Sequence, residues 1–159
     1  EPPRAVWFFN GSPPNDLRFT AGQSGCGWKA MSLNSPSVPA ALLLPAALGA
    51  LALAQIPGPR RWVMTRALRA AQAKETRLDA SLDEWHEYGL RWMPRMAEVQ
   101  VDGRQALTVE DPPRSPLGLV IWIDNQYAIA SPENGFRFGI VPTAQEQWLE
   151  IEGLSLALA

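Results

Sequence analysis

LGLVIWIDNQY, residues 117–127, is an apolar run held between Pro116 and the Ser131-Pro132 pair. Short runs of β-branched and large apolar residues between turn signals read as buried strands, so Leu117–Tyr127 is expected to be the central strand of a sheet. Alternation puts Val120, Trp122, Asp124 and Gln126 on one face and Leu119, Ile121, Ile123 and Asn125 on the other. The first face passes from an aliphatic residue through an indole to an acid and an amide. That order suits a sugar, which stacks on an indole and offers hydroxyls to donors and acceptors alike. The same residues also read as a core tryptophan with Asp124 and Gln126 capping the strand end. Both readings stand at this point.

The flanking sequence continues the β pattern. In WHEYGLRW (Trp85–Trp92), His86, Tyr88, Leu90 and Trp92 share one face. Ala97, Val99 and Val101 alternate with polar residues up to Asp102-Gly103, a pair suited to a two-residue hairpin in which both positions take positive φ. Ala106–Val109 returns from it, and a Pro-rich loop, Asp111–Pro116, leads on. Phe136, Phe138 and Ile140 form a short strand after Asn134-Gly135, and Trp148–Leu158 is the last, with Leu149 and Ile151 inward. At the other end, AVWFF (Ala5–Phe9) is a strand stopped by NGSPP (Asn10–Pro14). Leu17, Phe19 and Ala21 alternate as another. GQSGCG (Gly22–Gly27) lacks the Lys-Ser/Thr ending of a phosphate loop and reads as a turn. Trp28–Leu33 follows, with Trp28, Ala30 and Ser32 on one face.

Val38–Ile56 departs from this pattern, being nearly all Ala and Leu before Pro-Gly-Pro and Arg60-Arg61. Its composition raises a membrane span, but the length is marginal and Pro45 and Gly49 interrupt it. A broken helix packed on the protein is the expectation. Arg61–Leu78 then shows a mixed amphipathic helical pattern with a basic, solvated face. Together these make a helical insertion near residues 38–78.

Composition narrows the function classes. The 159 residues suffice for a single domain with a real core, taken here as 1–159. A net charge of −2 supplies no basic field for nucleic acid or an anionic membrane. Seven tryptophans are many for this length and fit carbohydrate recognition, though indoles also serve as core mass. Fifteen prolines and twelve glycines favour many turns, as in a β-sandwich or barrel. The single Cys26 excludes an internal disulfide framework and a multi-cysteine metal site, and is compatible with a reducing compartment. The chain as given shows no leader, so the expectation leans to the cytoplasm, although a cleaved or upstream leader would leave no trace.

Chemistry has few places to reside. His86 is the only histidine, no G-x-S-x-G elbow presents a serine, and no residue set has the spacing of a zinc site. His86 therefore reads as a hydrogen-bonded strand residue that can face a cleft. Retaining glycoside hydrolysis needs two carboxylates roughly 5 Å apart. Glu150 with Glu152, or Glu146 with Glu150, could share a strand face, but that face could equally be solvated. No catalytic residue, metal or cofactor is assigned.

AVWFF, SPPNDL (Ser12–Leu17), GWKA (Gly27–Ala30), WHEYGLRW, VDG (Val101–Gly103), PLGLVIWIDNQY (Pro116–Tyr127), FRFG (Phe136–Gly139) and QWLEIE (Gln147–Glu152) together resemble the concanavalin A-like lectin/glucanase superfamily. Within it they resemble the laminarinase-like enzymes of glycoside hydrolase family 16. The resemblance is best from Trp85 to Glu152. It implies a jelly-roll sandwich of two curved antiparallel sheets whose concave face binds β-glucan-like chains, with Val38–Leu78 inserted between strands. Active members carry E-x-D-x-x-E on one strand, and no stretch here matches it. The resemblance thus implies a polysaccharide-binding relative that is not itself catalytic, with Trp122, Asp124 and Gln126 on the binding face and His86 and Tyr88 beside them. Two alternatives remain: part of an active endo-glucanase whose catalytic strand lies upstream, with the jelly roll incomplete at its N-terminus, or a structural interaction module unrelated to sugar.

Overall fold

The computed structural model describes residues 4–20, 22–35, 48–50, 52–114 and 116–157. In chain order these form β1 (Arg4–Gly11), β2 (Asp16–Leu17), β3 (Gly27–Asn34), α1 (Pro57–Ala70) and β4 (Lys74–Arg77). There follow β5 (Tyr88–Met93), β6 (Met96–Val101), β7 (Arg104–Glu110), β8 (Gln126–Ser131) and β9 (Gly135–Ile140). The chain is mainly β, in three three-stranded sheets of order β1-β3-β4, β5-β6-β7 and β2-β8-β9. The first two are antiparallel throughout; in the third, β2 runs parallel to β8 and β9 antiparallel to it. None of the three is closed into a barrel among the described residues.

The core follows from register. Pairing of Val6 with Ser32, Phe8 with Ala30 and Asn10 with Trp28 puts Val6, Phe8, Trp28 and Ala30 on one face of the first sheet. That face packs against Val99, Val101, Ala106 and Leu107 of the second sheet, around buried Ala30, Leu78 and Val99. Two antiparallel sheets with apolar faces turned toward each other make a small sandwich, and each fully buried aliphatic side chain stabilises it by roughly 1.5–3 kcal/mol. The hairpin between β6 and β7 has the expected turn: Asp102 and Gly103 take φ of 51° and 72°, the mirror-image geometry that matches strand twist.

Four expectations need correction. Arg61–Leu78 is not one helix. α1 begins at Pro57, where proline's missing N–H costs nothing, and stops at Ala70. There Gln72 turns left-handed at φ 49°, donating its N–H to Arg69 O while Ala73 N–H reaches Leu68 O. Lys74–Arg77 then pairs with β3 as a strand, so residues 71–78 leave the helical insertion. Nor is Leu117–Tyr127 a central strand. Residues 117–124 are irregular and solvent-exposed, and β8 starts only at Gln126. Nor does Trp148–Leu158 contribute a strand within its described part, 148–157; Leu149 and Ile151 face solvent rather than inward. An apolar run becomes a strand only when a neighbouring edge takes up its backbone groups, and neither segment is paired to a strand among the described residues. Of Leu17, Phe19 and Ala21, Leu17 alone enters a ladder, and Ala21 lies outside the described residues.

Most of Val38–Ile56 also lies outside the described residues; 48–50 and 52–54 are helical. Among the described residues no helix is long and apolar enough to cross a membrane. The start of α1 is fastened to the third sheet by Arg60. Its guanidinium donates to Ala54 O at 2.9 Å, Gln55 O at 3.0 Å and Glu133 O at 3.0 Å. Gly135 (φ 76°) passes so close that a Cβ would sit 2.7 Å from Ala54 O.

Candidate functional site

Trp122, Asp124 and Gln126 stand on the irregular approach to β8 and its first residue, all exposed. The Trp122 side chain is open to solvent, with the residue 57% exposed, so it contributes little to the core. Asp124 Oδ1 accepts the Gln126 backbone N–H at 3.1 Å, an Asx turn that fixes where β8 begins. Next to it, Asn125 Nδ2 donates to Val141 O at 3.1 Å and Val141 N–H returns to Asn125 O at 2.7 Å, tying the approach to the exit of β9. The indole therefore stands on an anchored base, with an acid and an amide within the next four positions.

Tyr88 lies elsewhere, as the first residue of β5, and His86 precedes it in irregular chain rather than in the strand expected for it; their rings are 6.4 Å apart. His86 Nε2 accepts the Ser81 N–H at 3.1 Å, so the ring hydrogen sits on Nδ1 and is donated to Asp102 Oδ2 at 2.8 Å. With both nitrogens engaged, the imidazole ties the 81–86 loop to the β6–β7 turn and leaves no lone pair for a substrate. The Asp102 carboxyl is held below the usual carboxylate range, chiefly by His86 and then by the Glu87 N–H at 2.9 Å. Tyr88 packs edge-on to Phe8 at 4.9 Å and tilted to Trp28 at 5.6 Å, at the margin of the sandwich core. Burial, and then the Asp102 charge, push its phenol up. Among the described residues no hydrogen bond or ring contact joins this pair to Trp122, Asp124 or Gln126, and the two of these residues that enter strands, Tyr88 in β5 and Gln126 in β8, belong to different sheets.

A polar cluster that the sequence pattern did not disclose lies on the other face of the first sheet. Lys29 and Glu75 form an ion pair at 2.7 Å with side chains only 2% and 1% exposed. Lys29 also donates to Leu17 O at 2.7 Å, and Glu75 Oε1 accepts the N–H groups of Phe19 and Thr20 at 2.8 and 2.6 Å. The pair thus clasps the chain leaving β2. Next to it, Asp16 accepts from Arg18, Ser131 Oγ at 3.0 Å and Asn134 Nδ2, bridging β2 to the β8–β9 turn. Burial works to raise the Asp16 carboxyl, but the bonds from Arg18, Asn134 and Ser131 outweigh it and hold the group below its ordinary range. The one available signal was Lys29, a lysine alternating with apolar neighbours in GWKAMSL.

Glu146, Glu150 and Glu152 lie on exposed irregular chain, so the shared strand face that a carboxylate pair would need is not formed there. Among the described residues no group of three or more His, Cys, Asp or Glu converges as a metal site would require. No family model matches this sequence, and neither a curated protein nor a solved structure matches it.

Proposed function

We propose that this chain is a carbohydrate-binding β domain of the concanavalin-like jelly-roll kind, taking β-glucan-like polysaccharide without cleaving it. The observation that carries the reading is the solvent-open indole of Trp122 on an anchored base, followed by Asp124 and Gln126. An exposed indole offers a large flat apolar contact with few rotamers to freeze, and the acid and amide supply acceptors and donors for ring hydroxyls. His86 and Tyr88 take no part in this version of the site: one is fully hydrogen-bonded and the other is packed on Phe8 and Trp28. Laminari- and cello-oligosaccharides should quench or shift indole fluorescence in the wild type and not in Trp122→Phe, with no reducing sugar released from laminarin. A flat wild-type titration removes the reading.

A second reading is favoured by a different observation. Leu117, Leu119, Val120, Ile121 and Ile123 are all exposed on one short segment, as are Trp148, Ile151, Leu154 and Leu156 on another. Apolar rows of that length suit a protein interface, and make the chain an interaction module.

A further inference from the structure

β9 has two flanks, and β8 uses only one. Val141 N–H donates to Asn125 O at 2.7 Å, and the β8–β9 register runs unbroken from there, so Gly139, Arg137 and Gly135 exchange bonds with β8. Phe136, Phe138 and Ile140 therefore turn their N–H and C=O groups to the outer flank. Gln55 Nε2 donates to Phe136 O there at 3.2 Å, and among the described residues nothing takes up the groups of Phe138 and Ile140. Their side chains stand in solvent, the residues being 75% and 71% exposed. A groove of about 550 Å³, lined by Leu48, Ala52, Gln55, Tyr127 and Phe136 among others, opens beside them. The same chain carries the complement. Leu117–Ile123 has the composition of a strand, lies exposed, and pairs with no strand among the described residues.

We propose that Leu117–Ile123 of a second copy adds to the outer flank of β9 as an antiparallel strand. This rests on the interaction reading above and names its partner. One register suits both segments. Ile121 opposite Ile140 and Ile123 opposite Phe138 exchange main-chain bonds with the two outward-facing positions. Trp122 then falls beside Gly139, where the Tyr127 ring already lies, close enough that a Cβ on Gly139 would meet it at 2.6 Å. The indole gains an aromatic neighbour across a residue with no side chain of its own. Asp124 falls opposite Arg137, the one charge on β9. Within one chain this register is out of reach. Asn125 is bound beside Val141, and Ile123 extends at most about 7 Å from it. The outer flank lies two strand spacings, about 9.5 Å, from β8. The donor strand therefore comes from another molecule.

The test is sedimentation velocity on the intact chain over a concentration series, with each segment disabled in turn. Ile140→Pro removes one outward N–H and no bond to β8, which proline tolerates at a strand edge. Phe138→Lys charges the same edge and leaves every backbone bond in place. Both variants should keep the wild-type thermal melt and stay monomeric where wild type associates. Ile121→Lys with Ile123→Lys, which disables the donor, should also stay monomeric alone. Mixed together, an edge variant and the donor variant should form a one-to-one complex, because each retains the part that the other lacks. Phe138→Lys serves in the mixture if Ile140→Pro melts early. Edge variants that associate like wild type, or a mixture that stays monomeric, overturn this pairing while leaving the interaction reading in place. A wild type that never associates removes both.

Discussion

Lys29 and Glu75 show how one buried pair organises a fold without necessarily adding net stability. Taking two charges out of water costs several kcal/mol each, and their attraction offsets that only if the remaining bonds are made. Here they are: Leu17 O, Phe19 N–H and Thr20 N–H complete the set. Glu75→Ala would leave an uncompensated ammonium and two unpaired amides, so it should destabilise by about 3–5 kcal/mol in urea unfolding. Replacing both partners with apolar residues (Lys29→Met with Glu75→Leu) should cost far less. A double variant as unstable as the single one would mean that the charge is not what matters. Asp16 gives the pH dependence. Its folded-state pKa lies below the unfolded value, so its contribution is fully present above about pH 4 and is lost as pH falls through the folded pKa. Asp16→Asn should therefore show a flatter loss of stability than wild type on acidification below pH 4, measured by denaturant midpoint at each pH.

At the scale of elements, what was legible in the sequence is what is decided locally. Asp102-Gly103 specifies its turn from two residues, and the β6–β7 hairpin forms as expected. AVWFF, a short apolar run stopped by NGSPP, and Trp28–Leu33, with Trp28, Ala30 and Ser32 on one face, become β1 and β3. Glu75 was assigned to a helix because its partner, Lys29, is 46 residues away and leaves no mark on local periodicity. Leu117–Ile123 failed for the complementary reason. Its composition is that of a strand, but a strand also needs a partner to take up its backbone groups, and among the described residues none pairs with 117–123. The candidate site inherits this split: Trp122, Asp124 and Gln126 keep their order along an exposed segment, while the face that was to unite them with His86 and Tyr88 is absent from the described residues. The two indoles Trp122 and Trp28 separate the alternatives. Trp28 lies in the sandwich against Tyr88, so Trp28→Ala should cost about 3–5 kcal/mol. Trp122→Ala should change stability by no more than about 0.5 kcal/mol, as for other surface positions. Thermal melts of the two variants side by side check this, and a large loss in Trp122→Ala would return that residue to the core.

At the scale of the whole molecule, apolar surface is unevenly distributed. The first two sheets bury Ala30, Leu78 and Val99 between them, whereas the longest uninterrupted stretch of exposed large apolar side chains runs through Leu117–Ile123. Phe138 and Ile140 on β9 are exposed too, and among the described residues β9 is an edge strand paired on one side only. Single exposed leucines are ordinary, but contiguous apolar rows and exposed apolar edge strands are what proteins otherwise cover or charge. LGLVIWI holds no charge between Leu117 and Ile123, so repulsion does not protect it. Water contact with these rows is unfavourable by roughly 25 cal/mol for each Å² of apolar surface, and association removes it. The chain should therefore self-associate as its concentration rises, and sedimentation velocity should show the weight-average coefficient climbing. Ile121→Lys with Ile123→Lys should suppress that climb while leaving the thermal melt of the sandwich in place, because neither residue contributes to its core. A wild type that stays monomeric over the whole range would remove the interaction reading and leave Trp122 as the surface feature still in need of a ligand.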